Sequence, residues 1–293
     1  MICSDCPRKC GAFRGENSGE GFCGCPELPL IVRASPHFGE EPCISGSRGS
    51  GAVFFSGCSL RCSFCQNSEI SRLPSGKSFS PGKLAELLNR LQDSGVHNIN
   101  LVTASHYIRP VAEALEKAKL KIPVVWNSSG YELPESLRLL NGLVQVYMPD
   151  YKYSDSGLAA RLSRAPDYPE TAAEAIEEMF SQRGAYRLSA DGMLESGVLI
   201  RHLIIPGETE NSMGAMDFAA DNFGEAVLFS LMSQFTPMND CGINRGVNNE
   251  ENEALIHYMK LRRLSGYCQE LCSATREMIP DFSEFSSLKE ITL

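Results

Sequence analysis

From residue 51 onward, short apolar runs alternate with amphipathic stretches. Residues 52–56, 98–103, 123–127, 144–149, 198–205 and 226–233 are each brief and rich in Val, Ile, Leu or aromatic side chains, the composition of buried strands. Between them the apolar spacing changes to that of a helix. Ser80 is a good N-cap, Pro81 suits the first helical position, and Leu84, Leu87, Leu88 and Leu91 recur at i, i+3, i+4 and i+7 before Gly95. Helices are likewise expected over residues 111–120, 133–140, 169–182, 212–222 and 252–264. Strands that alternate with helices make βα units and a parallel sheet. Periodicity leaves an open doubly wound sheet and an incomplete barrel as alternatives, and both carry ligands at the C-terminal ends of the strands.

Residues 1–50 read differently. They are rich in Cys, Gly, Pro and charge, and residues 28–32 form their one compact apolar patch, so this segment is expected to fold around a metal and lean on a domain spanning 51–293. With 293 residues, 43% hydrophobic and 22% charged, the chain has material for an ordinary core, which excludes disorder as its main state. Lys and Arg number 27 against 36 Asp and Glu, a net charge of -9 that argues against a face built for nucleic-acid phosphates. The sequence has no apolar run of about 18 residues or more, so neither a membrane span nor a secretory signal is expected and the location is read as cytoplasmic. Of the twelve cysteines, nine precede residue 66. Without an export signal, and with a full apolar complement, reduced thiolates that bind metal are the better reading than six disulfides.

The sharpest motif is Cys58-x3-Cys62-x2-Cys65, directly after the first expected strand. Three thiolates so spaced can hold three irons of a [4Fe-4S] cube and leave the fourth open to a ligand. The rival is a structural zinc site, which needs a fourth Cys or His. With the aromatic Phe64 before the last cysteine, the motif resembles the radical S-adenosylmethionine (SAM) superfamily. Further blocks resemble its pyruvate formate-lyase activating enzyme-like subgroup: Glu40 to Gly46, Phe54 to Cys58, Cys65-Gln66-Asn67, His97 to Thr103, Asn127 to Glu132, Asp150 to Tyr153 and Arg201-His202-Leu203. The resemblance implies an α/β fold, a partial (β/α)6 TIM-like barrel after the cysteine-rich segment. It also implies a [4Fe-4S] cluster on Cys58, Cys62 and Cys65 that reductively cleaves SAM, bound through its amino and carboxylate groups at the open iron. Phe64 would lie against the adenine, and Asn67 counts with the cofactor contacts.

Other polar residues stand where a ligand at the strand ends would meet them. Thr103 and Ser105 carry hydroxyls for the SAM amino or carboxylate group, although Ser105 can equally cap the helix that follows. Thr103 to His106 also stands where activating enzymes proper carry a Gly-Gly-Glu-like motif. Asn127 either contacts SAM or merely opens the turn over Ser128, Ser129 and Gly130. Asp150 and Lys152 end the fourth strand on one side and suit ribose hydroxyls and a carboxylate. Neighbouring residues Arg201 and His202 face opposite sides of their strand, so at most one readily faces the lumen; the resemblance implies that Arg201 turns toward SAM, which leaves His202 to the core. Ser233, Gln234 and Phe235 end the sixth strand on the substrate side.

A second set, Cys3-x2-Cys6-x3-Cys10-x12-Cys23 with Cys25 to spare, suits Zn²⁺ or a second iron-sulfur cluster, and a folding role is favoured over electron relay. Cys43 is left between either site and burial, while Cys241, Cys268 and Cys272 are read as packed thiols, the last two on one helix face. The implied reaction is hydrogen-atom abstraction from a protein or peptide, such as the backbone glycine of a glycyl-radical enzyme, with an oxygen-sensitive cluster. The alternatives are modification of a small molecule or ribosomal peptide and a non-catalytic metal-binding structural protein. A flavodoxin- or ferredoxin-type reductant, itself usually acidic, suits this acidic chain only if a basic patch forms around Arg61 and Arg72.

Overall fold

The computed structural model describes residues 2–238, 241–269 and 271. The strands are β1 (Leu30–His37), β2 (Ser50–Phe55), β3 (Lys77–Ser78), β4 (Ile99–Val102), β5 (Val124–Ser128), β6 (Val146–Pro149), β7 (Arg187–Leu188), β8 (Leu194–Leu203), β9 (Leu228–Met232) and β10 (Gly266–Cys268). The helices are α1 (Pro42–Ser45), α2 (Ser68–Arg72), α3 (Pro81–Asp93), α4 (Ile108–Lys117), α5 (Pro134–Leu137), α6 (Ser156–Ser163), α7 (Tyr168–Arg183), α8 (Thr209–Phe223) and α9 (Asn249–Leu261). Strand order is β10-β9-β8-β6-β5-β4-β2-β1-β3, with β7 paired to β8. From β2 through β10 the neighbours along this path are parallel, whereas β1 and β3 close one edge antiparallel. Among the described residues β10 and β3 do not pair, so the sheet is an open arc, as a partial barrel requires.

The six expected strands are the six parallel strands at the centre of the arc. Every residue of β2, β4, β5, β6 and β9 is buried, which is why these strands read as continuous apolar runs rather than as alternation. Ser80 does cap α3, accepting from Lys83 N, and Leu84, Leu87, Leu88 and Leu91 face the core. An Asn248–Glu251 capping box starts α9.

The chain changes character near residue 30, not 50. Strand β1 pairs with β2 along most of its length, so residues 30–46 belong to the sheet layer and only the stretch before them is an irregular cysteine-rich knot. Alternation in β1 is broken by Arg33, Ser35 and Pro36, in the part that β3, paired only at Leu30 and Ile31, leaves uncovered, and this hid it in the sequence. Helix α6 was also missed, because its Ala-, Ser- and Gly-rich stretch carries a weak apolar stripe. Cys268 lies exposed on strand β10 instead of on a helix, and Cys272 lies outside the described residues. Cys43 is buried with Ile44 in a small apolar cluster.

The knot is pinned to the barrel through Arg8. Its guanidinium donates to Ser59 O at 2.8 Å and Ser163 O at 2.9 Å, so it joins the loop after β2 to the end of α6. Gly57, which opens that loop at φ +85°, is required there twice over. A side chain would be strained by the backbone, and its Cβ would lie 2.1 Å from Cys25 Sγ.

Candidate active site

The C-terminal ends of the parallel strands surround one cleft of about 1180 Å³, counting the space open to solvent. The β2 loop contributes Cys58, Cys62, Phe64, Cys65 and Asn67. Thr103 follows β4, Asn127 ends β5, Asp150 and Lys152 follow β6, and Arg201 reaches in from β8. Ser105 is the one expected cofactor residue outside the lining; it is buried beside Glu132. Glu132 also accepts from Trp126 Nε1 at 2.7 Å and Ser128 Oγ at 2.6 Å, so it braces the β5 turn from beneath. Gln234 lines the cleft, whereas Ser233 and Phe235 are buried behind it.

Each triad sulfur has a donor directed at it. Leu60 N lies 3.3 Å from Cys58 Sγ, Ser163 Oγ 3.0 Å from Cys62 Sγ and Ser71 Oγ 3.6 Å from Cys65 Sγ. Burial, then the neighbouring thiols, pushes the Cys58 thiol up and Cys65 up to about 12. A metal would take the place of these thiols' protons, and hydrogen bonds to sulfur are those that tune an iron-sulfur cluster. The triad therefore fits three ligands of such a cluster. Phe64 sits against Phe235, with ring centroids 5.7 Å apart, and edge-on to Tyr153.

The same cleft holds a connected set of charges, with Lys152 within electrostatic reach of the triad. Arg201 Nε donates to Asp150 Oδ1 at 2.9 Å, Nη1 to Glu40 Oε2 at 3.0 Å and Nη2 to Asn127 Oδ1 at 2.7 Å. Asn127 and Asn100 both return a hydrogen bond to Glu40 Oε1, at 3.1 and 3.0 Å, and Lys152 Nζ pairs with Asp150 Oδ2. Burial opposes ionisation of Asp150, yet Arg201 and Lys152 outweigh it and hold the carboxyl below its ordinary value. Burial likewise lowers Arg201 and Lys152, and the facing carboxylates more than reverse this. The formal charges of Glu40, Asp150, Lys152 and Arg201 cancel, so the cleft suits a ligand that carries both signs, as an amino-acid moiety does.

Glu40 is the cleft residue to which no sequence pattern points: it follows β1, a strand the apolar periodicity does not reveal, and that strand carries it to Arg201. His202 faces the other side of β8, where its ring nitrogens lie 2.6 Å from Tyr151 O and 2.9 Å from Ser212 Oγ. Two backbone details shape the cleft rim. Thr103 adopts φ +61°, unusual for a β-branched residue, while its N–H donates to Asn127 O at 2.8 Å. Gly130 stands at φ +72° with the Asp150 carbonyl 2.4 Å from where a Cβ would be.

In the N-terminal knot, Cys3, Cys10 and Cys23 all lie within electrostatic reach of Cys6. Cys3, Cys6 and Cys23 are buried and Cys10 is exposed. Arg14 Nη2 donates to Cys23 Sγ at 3.2 Å. Among the described residues, no three Cys, His, Asp or Glu side chains are grouped as ligands of a single ion. Likewise, no helix among them is long and apolar enough to cross a membrane.

A family model described as the radical SAM superfamily matches residues 52–219. An uncharacterized protein of Methanocaldococcus jannaschii is 28% identical over 268 residues, which cover 87% of this chain and 73% of that protein. Among solved structures, a radical SAM methyltransferase from Sphaerobacter thermophilus superposes with a TM-score of 0.48 at 16% identity, covering 76% of this chain and 68% of the other. SuiB of Streptococcus suis bound to S-adenosylmethionine gives 0.47 at 16%, covering 82% of this chain and 51% of its own. A domain of pyruvate-formate lyase-activating enzyme from Bacteroides vulgatus gives 0.37 at 14%, covering 65% and 91%.

Proposed function

This chain belongs to the radical SAM superfamily, and we propose that it initiates radical chemistry on a protein or peptide substrate from a [4Fe-4S] cluster held by Cys58, Cys62 and Cys65. Bound there with one open iron, the cluster would supply the electron that cleaves SAM reductively into methionine and a 5′-deoxyadenosyl radical. The observation that carries this reading is the charge-balanced set of Glu40, Asp150, Lys152 and Arg201 lining one cleft with the triad.

The chain's own residues divide the work. Lys152 and Arg201 offer cations to a carboxylate. Glu40 and Asp150 offer acceptors to an ammonium group or to ribose hydroxyls. Because Arg201 is held by three partners on three strands or loops, its guanidinium keeps one orientation whether or not a ligand is present. Phe64, backed by Tyr153 and Phe235, provides an apolar surface for a base. Thr103 and Asn127 complete the rim between the charges and the triad. The cleft opens to solvent, which supports entry of a segment of a larger chain, and a glycyl-radical enzyme is the substrate we favour.

Anaerobic reconstitution with iron and sulfide, followed by assay of 5′-deoxyadenosine from SAM and dithionite, tests the reading. Product is expected from the intact chain and not from Cys62→Ala. An intact chain that carries its cluster by spectroscopy yet neither binds SAM nor forms product would overturn it, leaving the triad as a structural metal site.

A further inference from the structure

Along the β2 loop, alternate residues face two different cavities. Cys58, Leu60, Cys62 and Phe64 line the cleft described above, whereas Arg61 and Ser63 line a separate one. This second cavity draws Arg72 from α2, together with Arg161 and Arg164 from α6 and its C-terminus. The chain as a whole is acidic, at -9, yet four arginines converge here, immediately behind the triad.

The convergence is built into the backbone. Arg61 and Arg164 adopt φ of +54° and +52°, the left-handed region that residues with a Cβ seldom occupy. Arg72 donates to Ser63 O at 3.2 Å and so ties the patch to the residue between the second and third cysteines. The Arg61 guanidinium lies 5.2 Å from the Phe22 ring centroid, and Arg8 lies 4.1 Å from the same ring. Among the described residues only Arg161 of the four meets a carboxylate, that of Glu208. Three like charges held together without a counter-ion repel one another, a cost that an anionic partner would remove.

We propose that this arginine-lined face is the docking surface for a small acidic electron-carrier protein, which delivers one electron to the cluster for each SAM cleaved. The proposal rests on the function proposed above, since only that chemistry needs an external reductant. The cleft is needed for SAM and substrate, and the face behind the loop brings a carrier near the same three cysteines without entering it. Two residues of the face, Arg61 and Ser63, lie directly beside ligands in the chain. A reduced flavodoxin would give up one electron here, its hydroquinone becoming the semiquinone, and leave.

The test uses the full reconstituted chain with no substrate added and reads 5′-deoxyadenosine, driven either by prereduced flavodoxin or by dithionite. In the double variant Arg161→Glu/Arg164→Glu, the flavodoxin-driven rate is expected to fall about tenfold at low salt, the usual scale of electrostatic steering. For the unaltered chain, the flavodoxin-driven rate is expected to fall as salt rises from about 0.01 M to about 0.15 M, where the screening length shrinks from ~30 Å to ~8 Å. The dithionite-driven rate of the double variant is expected to stay within about twofold, and Arg161→Lys/Arg164→Lys to restore flavodoxin turnover, because charge is what steers. An unchanged flavodoxin rate and salt slope in the double variant would place docking elsewhere. An equal loss with both reductants would make the arginines supports of the loop and overturn the proposal. An unaltered chain inactive even with dithionite would overturn the proposed function itself, and the docking surface with it.

Discussion

Both cysteine-rich regions are built from the same side chain, and their surroundings make them opposites. The triad sits on a loop at the C-terminal end of the parallel strands, in a cleft that Glu40, Asp150, Lys152 and Arg201 also line. In the N-terminal set Cys3, Cys6, Cys23 and Cys25 are buried, while Cys10 is exposed. Cys23 lies against Arg14, Cys25 is fully buried beneath Gly57, and His106 and Tyr107 pack behind. Open space and ligand-binding groups face the triad, whereas mostly protein faces the N-terminal thiols, surroundings that suit chemistry in the first case and folding in the second.

The sharpest way to break this contrast is to remove one cysteine from each region. Cys65→Ala should lower SAM-dependent 5′-deoxyadenosine formation on the order of a hundredfold or more, with circular dichroism unchanged. Cys6→Ala should instead appear in thermal or denaturant unfolding as a loss of about 1 kcal/mol, the cost of a small cavity. A loss several times larger would show that the N-terminal set binds a metal, because metal affinity there is folding free energy.

Arg201→Met should destabilise by about 3 kcal/mol in denaturant titration, since it leaves Glu40 a largely buried carboxylate without a cation and Asp150 with Lys152 alone. SAM binding, followed by equilibrium dialysis, should weaken with it. A near-neutral change would mean that water already reaches these groups.

Two buried histidines, one in each region, give a pH comparison. Burial lowers both His106, behind the knot, and His202, behind the cleft, to about 4 from an ordinary 6.5. Between those values the unfolded chain binds protons that the folded chain does not, so stability rises with pH. Stability should be complete above about 6.5 and lost progressively as pH falls toward 4, by roughly 3 kcal/mol per histidine at the limit. In His202→Gln, the part due to the cleft side should vanish from the unfolding-versus-pH curve while the His106 part remains.

The smallest effect is expected at the rim of the knot. Arg109 and Asp5 pair at 2.8 Å with the arginine half exposed, so Asp5→Asn should cost less than about 1 kcal/mol and nothing at high salt. A larger cost would mean that this pair, in addition to Arg8, anchors the knot to the barrel.

Much of the fold was legible because burial on both faces leaves the parallel strands as unbroken apolar runs, and the stripe of α3 is equally plain. β1 escaped because a strand with one side largely unpaired, carrying Arg33, Ser35 and Pro36, has no such pattern. That omission also concealed Glu40. Ser105 shows the converse, a hydroxyl well placed in sequence that the turn after β4 directs at Glu132 instead of the cleft.

The sequence alone determined the three-cysteine motif, the six parallel strands and the position of Asp150, Lys152 and Arg201 at strand ends, since each depends on local spacing and on apolar periodicity. Only the tertiary structure decided that Glu40 closes the charge network, that Ser105 leaves it, and that Arg61, Arg72, Arg161 and Arg164 share one face behind the triad. Those relations join residues up to 161 positions apart. They depend on which strands are neighbours and on which side of a loop each residue emerges, and no local pattern of side chains encodes either.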